Sequence, residues 1–272
     1  MIGASRCIYT YCIGRSLYVP LTSRCNSWTL PQTRGPSFVL PCEVVTALCR
    51  VRDAEHGTQQ YQHWCSYLDT QDYPQRLPEY PYELVGSIPS IPEPDESNNN
   101  SHDSQVDNNN DLAQQPTAEH LQKEIDTVLE QKEIDALVIS GEGEPTLRWK
   151  TLRLIATTYA DVLPIRLNTN GLIPHTSAKT DELYEWGIRT VSVLLPTADP
   201  HQYVEMMKPI GNDHDNDNHL ETVCQFIRNA IQSGLDTEVT AIDRPDVNKT
   251  QTEALAMSLG VQPPVRWRPY FP

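Results

Sequence analysis

From Thr117 onward the chain alternates short apolar stretches with amphipathic ones, and this rhythm limits the possible folds more than any other feature. Residues 118–131 place Leu121, Ile125, Val128 and Leu129 at i, i+4, i+7 and i+8, the stripe of a helix with one buried face. Thr117 stands where an N-cap belongs, and Glu119 falls in the first turn. An apolar run at 136–140 predicts a buried strand, and helix 147–159 follows with Leu147, Leu152, Ile155 and Ala156 turned to a sheet. Strand 164–167 then leads to helix 177–186, which Gly187 ends, and strand 188–195 to helical pieces at 199–208 and 219–233. Strand 237–242, helix 250–258 and a last strand at 265–270 complete the series. With 16–22 as the first strand, the chain reads as six strands separated by five helical crossovers. Parallel neighbours need such crossovers, and their fixed handedness rolls the sheet one way. The expected fold is α/β, a partial (βα)6 barrel forming one domain over 1–272.

The first crossover is the exception. Residues 23–36 hold too many turn formers to be regular, and Pro20 weakens the strand before them. Residues 43–53 read as a helix with Val44, Val45, Leu48 and Val51 on one face, and Cys49 beside them as a core filler. Beyond, the pattern dissolves. Residues 88–111 carry two Asn triplets and six acidic side chains, too little apolar surface to offset ordering entropy. Residues 37–116 are therefore expected to be an insertion after strand one, disordered over about 88–115.

Composition narrows the partners. A net charge of −15, from 21 basic and 36 acidic residues, argues against a nucleic-acid backbone or an anionic membrane. No apolar run approaches the ~20 residues of a membrane span. Residues 1–16 carry Arg6, Tyr9, Tyr11 and Arg15 and so lack the apolar centre of a secretory signal. Seven cysteines without framework spacing point to reduced thiols, hence a cytoplasmic protein or one of an organelle.

In a barrel of this kind ligands gather at the C-terminal rim of the strands. The stretch 136–148 turns there from strand through Ser140-Gly141-Glu142-Gly143-Glu144-Pro145 into a helix start. Two glycines allow a sharp turn with exposed N–H groups, and Pro145 pre-sets the first helical turn. The N–H groups suit a carboxylate, and the carbonyls with Glu144 suit an ammonium, so a zwitterionic amino acid is the expected ligand. An ordinary βα turn would use the same residues. The other rim positions are Cys25, Asn168 with Asn170, Asp199, Asp243 with Arg244, and Arg268.

Three stretches give these positions a common meaning: 8–26, ending in Leu21-Thr22-Ser23-Arg24-Cys25-Asn26; Gly141-Glu142-Gly143-Glu144-Pro145-Thr146-Leu147-Arg148; and Ile165-Arg166-Leu167-Asn168-Thr169-Asn170-Gly171. Together with Val191-Ser192-Val193, residues 243–246 and Arg266-Trp267-Arg268-Pro269-Tyr270, they resemble the radical S-adenosylmethionine (SAM) superfamily, and within it the TatD-associated group. The likeness spans about 8–36 and 117–272. It implies a [4Fe–4S] cluster on three thiolates, with SAM bound at its open iron and cleaved to a 5′-deoxyadenosyl radical. It assigns Cys25 to the cluster and Gly141, Gly143, Glu144 and Pro145 to SAM. Asn168 and Asn170 face SAM or the substrate, and a TatD-like nuclease is the associated partner.

Two departures stand against it. The group spaces its ligands C-x3-C-x2-C, and the positions after Cys25 are Thr29 and Gln32, which cannot replace thiolates. No set among Cys7, Cys12, Cys42, Cys49, Cys65 and Cys224 restores the spacing, and Cys224 reads as core. Leu194 and Pro196 also stand where the group shows polar side chains. Two readings follow: a SAM-binding protein that is catalytically impaired or repurposed, or an active enzyme whose ligands come from Cys42, Cys49 or a partner chain.

Overall fold

The computed structural model describes residues 9–22, 25–39, 116–141, 143–173, 176–209, 219–262 and 264–272. The expected helix at 43–53 and nearly all of the 37–116 insertion lie outside them. Among the described residues seven strands form one sheet in chain order: β1 (Tyr11–Ile13), β2 (Ser16–Val19), β3 (Ala136–Ile139), β4 (Ile165–Thr169), β5 (Ile188–Leu194), β6 (Asp236–Asp243) and β7 (Arg266–Pro269). β2 to β7 are parallel and β1 pairs antiparallel with β2, Tyr11 against Tyr18. The sheet curls into a half-barrel, the partial barrel expected. No described helix is long and apolar enough to cross a membrane.

β1 is one correction to the sequence reading. A two-residue turn at Gly14-Arg15, with Gly14 at φ 60°, folds 11–13 back onto β2 as a hairpin. β2 also stops at Val19, before Pro20, because proline has no N–H for the ladder.

The described helices are α1 (Leu30–Thr33), α2 (Ala118–Gln131), α3 (Trp149–Tyr159), α4 (Thr176–Glu185), α5 (Pro200–Met207), α6 (His219–Gln232) and α7 (Lys249–Ser258). α1 is a second correction, a regular turn where a structureless loop was expected. Because the parallel strands follow chain order, right-handed crossovers put their helices on one face of the sheet. That face is the core. Leu17, Val19, Leu137, Ile139, Ile165, Leu167, Val191 and Val193 pack against Leu121, Ile125, Leu152, Ile155, Leu183 and Phe226, all at most 1 % exposed. Leu147 is a third correction, 39 % exposed, because 145–148 form a 3-10 turn whose tighter period swings it away from the sheet. Thr117 caps α2 as expected, accepting the His120 N–H, and Cys224 is core.

The opposite, concave face alternates with the core and is mixed: Tyr18, Arg166, Asn168, Ser192, Glu238 and Thr240 lie on it with Val138, Leu194 and Ile242. The Arg166–Glu238 ion pair spans it from β4 to β6. Its two edges are joined by a seam between residues 34–38 and the C-terminal tail. Phe271 donates its N–H to the Arg34 carbonyl at 2.8 Å, Ser37 donates to Phe271 at 3.2 Å, and Arg34 Nε reaches the Pro269 carbonyl at 3.0 Å.

Candidate functional site

Three consecutive parallel strands deliver their C-terminal ends to one place. After β2 the chain runs through Leu21 and Thr22 to Cys25, Asn26 and Ser27. After β3 it reaches Glu144, and after β4 Thr169 and Asn170. Hydrogen bonds tie the three ends together.

Glu144 is the centre. Its side chain is 3 % exposed and accepts four hydrogen bonds. Oε1 receives the Thr146 N–H at 3.1 Å, the Thr146 hydroxyl at 2.7 Å and the Thr169 hydroxyl at 2.8 Å, and Oε2 receives the Asn170 N–H at 2.8 Å. The carboxylate thus N-caps the 3-10 turn and clamps the end of β4. Burial pushes its pKa up, against the pull of these donors. Both oxygens are engaged within the protein. Gly141 has a packing reason of its own: a Cβ there would lie 2.4 Å from the Pro20 Cβ. Pro145, the first residue of the 3-10 turn, is buried.

Asn170 makes the second link. Its Nδ2 donates to Asn26 Oδ1 at 2.6 Å and Ser27 Oγ at 3.0 Å and lies 3.7 Å from Cys25 Sγ, while its Oδ1 receives the Leu172 N–H at 2.9 Å. Asn26 Nδ2 closes the loop on the Leu172 carbonyl at 3.0 Å. Asn168 sits apart from this network, half-buried on the concave face of β4 in register with Ser192. Cys25 is 8 % exposed, and burial, with the nearby Glu144 carboxylate, pushes its thiol up to about 11. It is therefore a protonated thiol at neutral pH.

Positions 29 and 32 form a cap. Gln32 Oε1 accepts the Thr29 N–H at 2.7 Å and its hydroxyl at 3.1 Å, closing the first turn of α1. Trp28 donates its N–H to the Met207 carbonyl at 2.5 Å and carries Lys208 Nζ 3.9 Å above its ring, which docks this loop on the end of α5. Among the described residues no group of three or more Cys, His, Asp or Glu is placed to hold a metal ion. Among the described residues the donor set at Cys25 is one thiol among neutral amides and hydroxyls, where a [4Fe–4S] cluster needs three thiolates.

The remaining rim residues have local work. Asp199 caps α5 through the Gln202 N–H at 2.9 Å, Asp243 pairs with Lys249 at 2.5 Å, and Arg244 pairs with Asp246 at 2.8 Å. Arg268 alone of these lies on the concave face.

No family model matches the chain, and no curated protein matches it. Among solved structures it is similar to TYW1 with a lysine–pyruvate adduct bound, at 14 % identity and TM-score 0.45, covering 95 % of this chain and 65 % of that one. A radical SAM methyltransferase, TsrM from Kitasatospora setae with cobalamin and a [4Fe–4S] cluster bound, matches at 16 % identity and TM-score 0.44, covering 57 % and 31 %. Coproporphyrinogen III oxidase (HemN) from Escherichia coli, a radical SAM enzyme, matches at 15 % and 0.35, covering 50 % and 31 %. The chain spans 65 % or less of the length of each.

Proposed function

We propose that the chain is a radical-SAM-type half-barrel that binds SAM, or another ligand with the same amino-acid end, without assembling a [4Fe–4S] cluster at Cys25. The observation that carries this reading is the joining of the Cys25 loop, Glu144 and Thr169–Asn170 into one hydrogen-bonded rim that offers a single thiol. The motifs at 141–148 and 165–171 support the superfamily and the TatD-associated group within it. Glu144 acts here as a positioning residue: it fixes the two loops against each other, leaving the backbone of Gly141 and Gly143 to meet an ammonium group. Asn168 stands on the side from which the rest of the ligand would enter. A TatD-like nuclease is the partner this reading suggests.

Two measurements test it. Calorimetry on the aerobically purified protein should show saturable SAM binding, abolished when Gly143 is replaced by valine, because a β-branched residue keeps the ligand from the loop backbone. Anaerobic reconstitution with iron and sulfide should give no brown chromophore and no 5′-deoxyadenosine. Absence of SAM binding would overturn the ligand. A stable cluster, lost on mutating Cys42 or Cys49, would overturn the impaired chemistry and make the chain an enzyme with a rearranged ligand set.

A further inference from the structure

The concave face carries a concentration of positive charge that the rim chemistry does not use. Arg166 enters from β4 and Arg268 from β7, in register with Ile242 on the same face of the neighbouring strand. Arg266 lies on that face too, two residues earlier on β7. Arg34 reaches the seam beside them, its Nε on the carbonyl of Pro269, the residue after Arg268, and its guanidinium 4.4 Å from the Phe38 ring centre and 5.2 Å from that of Phe271. Four guanidinium groups thus collect in a chain whose net charge is −15. Against them the face sets one ion-paired carboxylate, Glu238, which is bonded to Arg166. Among the described residues Arg268 forms no ion pair.

The donors are arranged as well as charged. Arg166 Nε and Arg268 Nε are both buried without a hydrogen-bond partner. A buried donor left unmade is costly, and two on one face of the sheet mark a place where an acceptor is missing. Nε with one Nη forms the flat fork that receives two oxygens of a carboxylate or phosphate. Burial and the neighbouring Arg266 and Arg166 hold the Arg268 guanidinium below its usual pKa, and Arg268 does the same to Arg34, as like charges crowded in one place must.

We propose that the concave face is a binding site for a compact oxyanion, the phosphate or carboxylate group of a small molecule, held by the fork of Arg268 and the unpartnered Nε of Arg166, with Arg34 at the seam. Tyr18, stacked on Tyr11 at 5.3 Å, lies on the β2 side of the same face. The guanidinium groups are not part of the 141–145 loop, so the Arg268 variants test anion binding and the Gly143 variant tests SAM binding.

The experiment titrates the full chain with inorganic phosphate and, separately, with malonate, each against chloride at matched ionic strength, by calorimetry. Saturable binding of either anion is expected, and the one that saturates assigns the ligand class; binding of both leaves the shared oxyanion chemistry. Arg268→Gln should weaken binding at least 10-fold, and Arg268→Lys, which keeps the charge and loses the fork, should fall between. A second readout needs no variant: the Nε–Hε nuclear magnetic resonances of Arg166 and Arg268 should shift with saturation in the wild type. No saturable binding of either anion, unmoved Nε–Hε signals, or unchanged affinity in a folded Arg268→Gln protein would each overturn the proposal.

Discussion

Gln32 Oε1 accepts both the backbone N–H and the hydroxyl of Thr29, at 2.7 and 3.1 Å. This is half of a capping box, in which the third helical residue reaches back to the cap and satisfies an orphan donor. The two positions where the resembling group needs thiolates thus hold a helix start together. Gln32→Leu removes the acceptor and is expected to cost about 1 kcal/mol in urea unfolding. Gln32→Glu keeps an acceptor and should cost less. Equal stability of wild type and Gln32→Leu would show that the cap contributes nothing.

Glu144 presents a sharper case, because each of its oxygens meets a backbone N–H: Oε1 that of Thr146, Oε2 that of Asn170. Hydroxyls can rotate to suit a new partner, and backbone N–H groups cannot. In Glu144→Gln the amide nitrogen must face one of those two donors and leave it unpaired. The expected loss is about 1–3 kcal/mol in denaturant unfolding, the cost of a buried donor left unmade. Asn170 should also release Asn26 and Ser27, seen as faster amide exchange at Asn26 and Leu172. A Gln variant as stable as wild type would mean that the carboxyl is already protonated and bonded differently.

Sequence periodicity carried the architecture a long way. β3 to β6 and the helices between them were legible because each has one face in the core, so apolar spacing reports them directly. The convergence of Cys25, Glu144 and Asn170 was legible as a rim, since each follows a strand. What was hidden had local or distant causes. β1 is three residues long and depends on the Gly14 turn, and α1 depends on a T-x-x-Q box obscured by neighbouring Pro31 and Trp28. The internal use of Glu144 joins positions 25 and 26 residues apart in the chain, and the Arg166–Arg268 face draws on β4 and β7, which two strands separate in the sheet. Pairings of that kind leave no periodic trace.

Cys25 and Cys224 are both thiols pushed up to about 11 from 9.0, by burial first, and then by Glu144 for Cys25 and Glu221 for Cys224. Each native thiol keeps its proton between pH 9 and 11, where the unfolded thiol releases its own. Unfolding therefore gains as pH rises through that window, and stability conferred below it is lost. Cys25→Ser removes one of the two titrations, so its stability should fall less steeply over pH 9–11 than that of wild type. At pH 8, iodoacetamide followed by peptide mass analysis should find both native cysteines largely unmodified. Rapid alkylation of Cys25 would show an exposed thiolate and reopen its role as a metal ligand.

Tyr203 lies fully buried on α5 with its hydroxyl lacking a hydrogen-bond partner. Burial first, then Cys224, Cys25 and Glu144, pushes its ionisation upward. A phenol with no partner has lost its hydration on folding and recovered nothing. The ring itself fills the core, and phenylalanine fills the same space apart from one oxygen. Tyr203→Phe is therefore expected to raise stability by up to about 1 kcal/mol. A loss of more than about 1 kcal/mol would instead reveal an acceptor for the hydroxyl, a buried water between Tyr203 and Glu144 being the chemically natural one. In that event Tyr203 would join Glu144 and Asn170 in holding the rim.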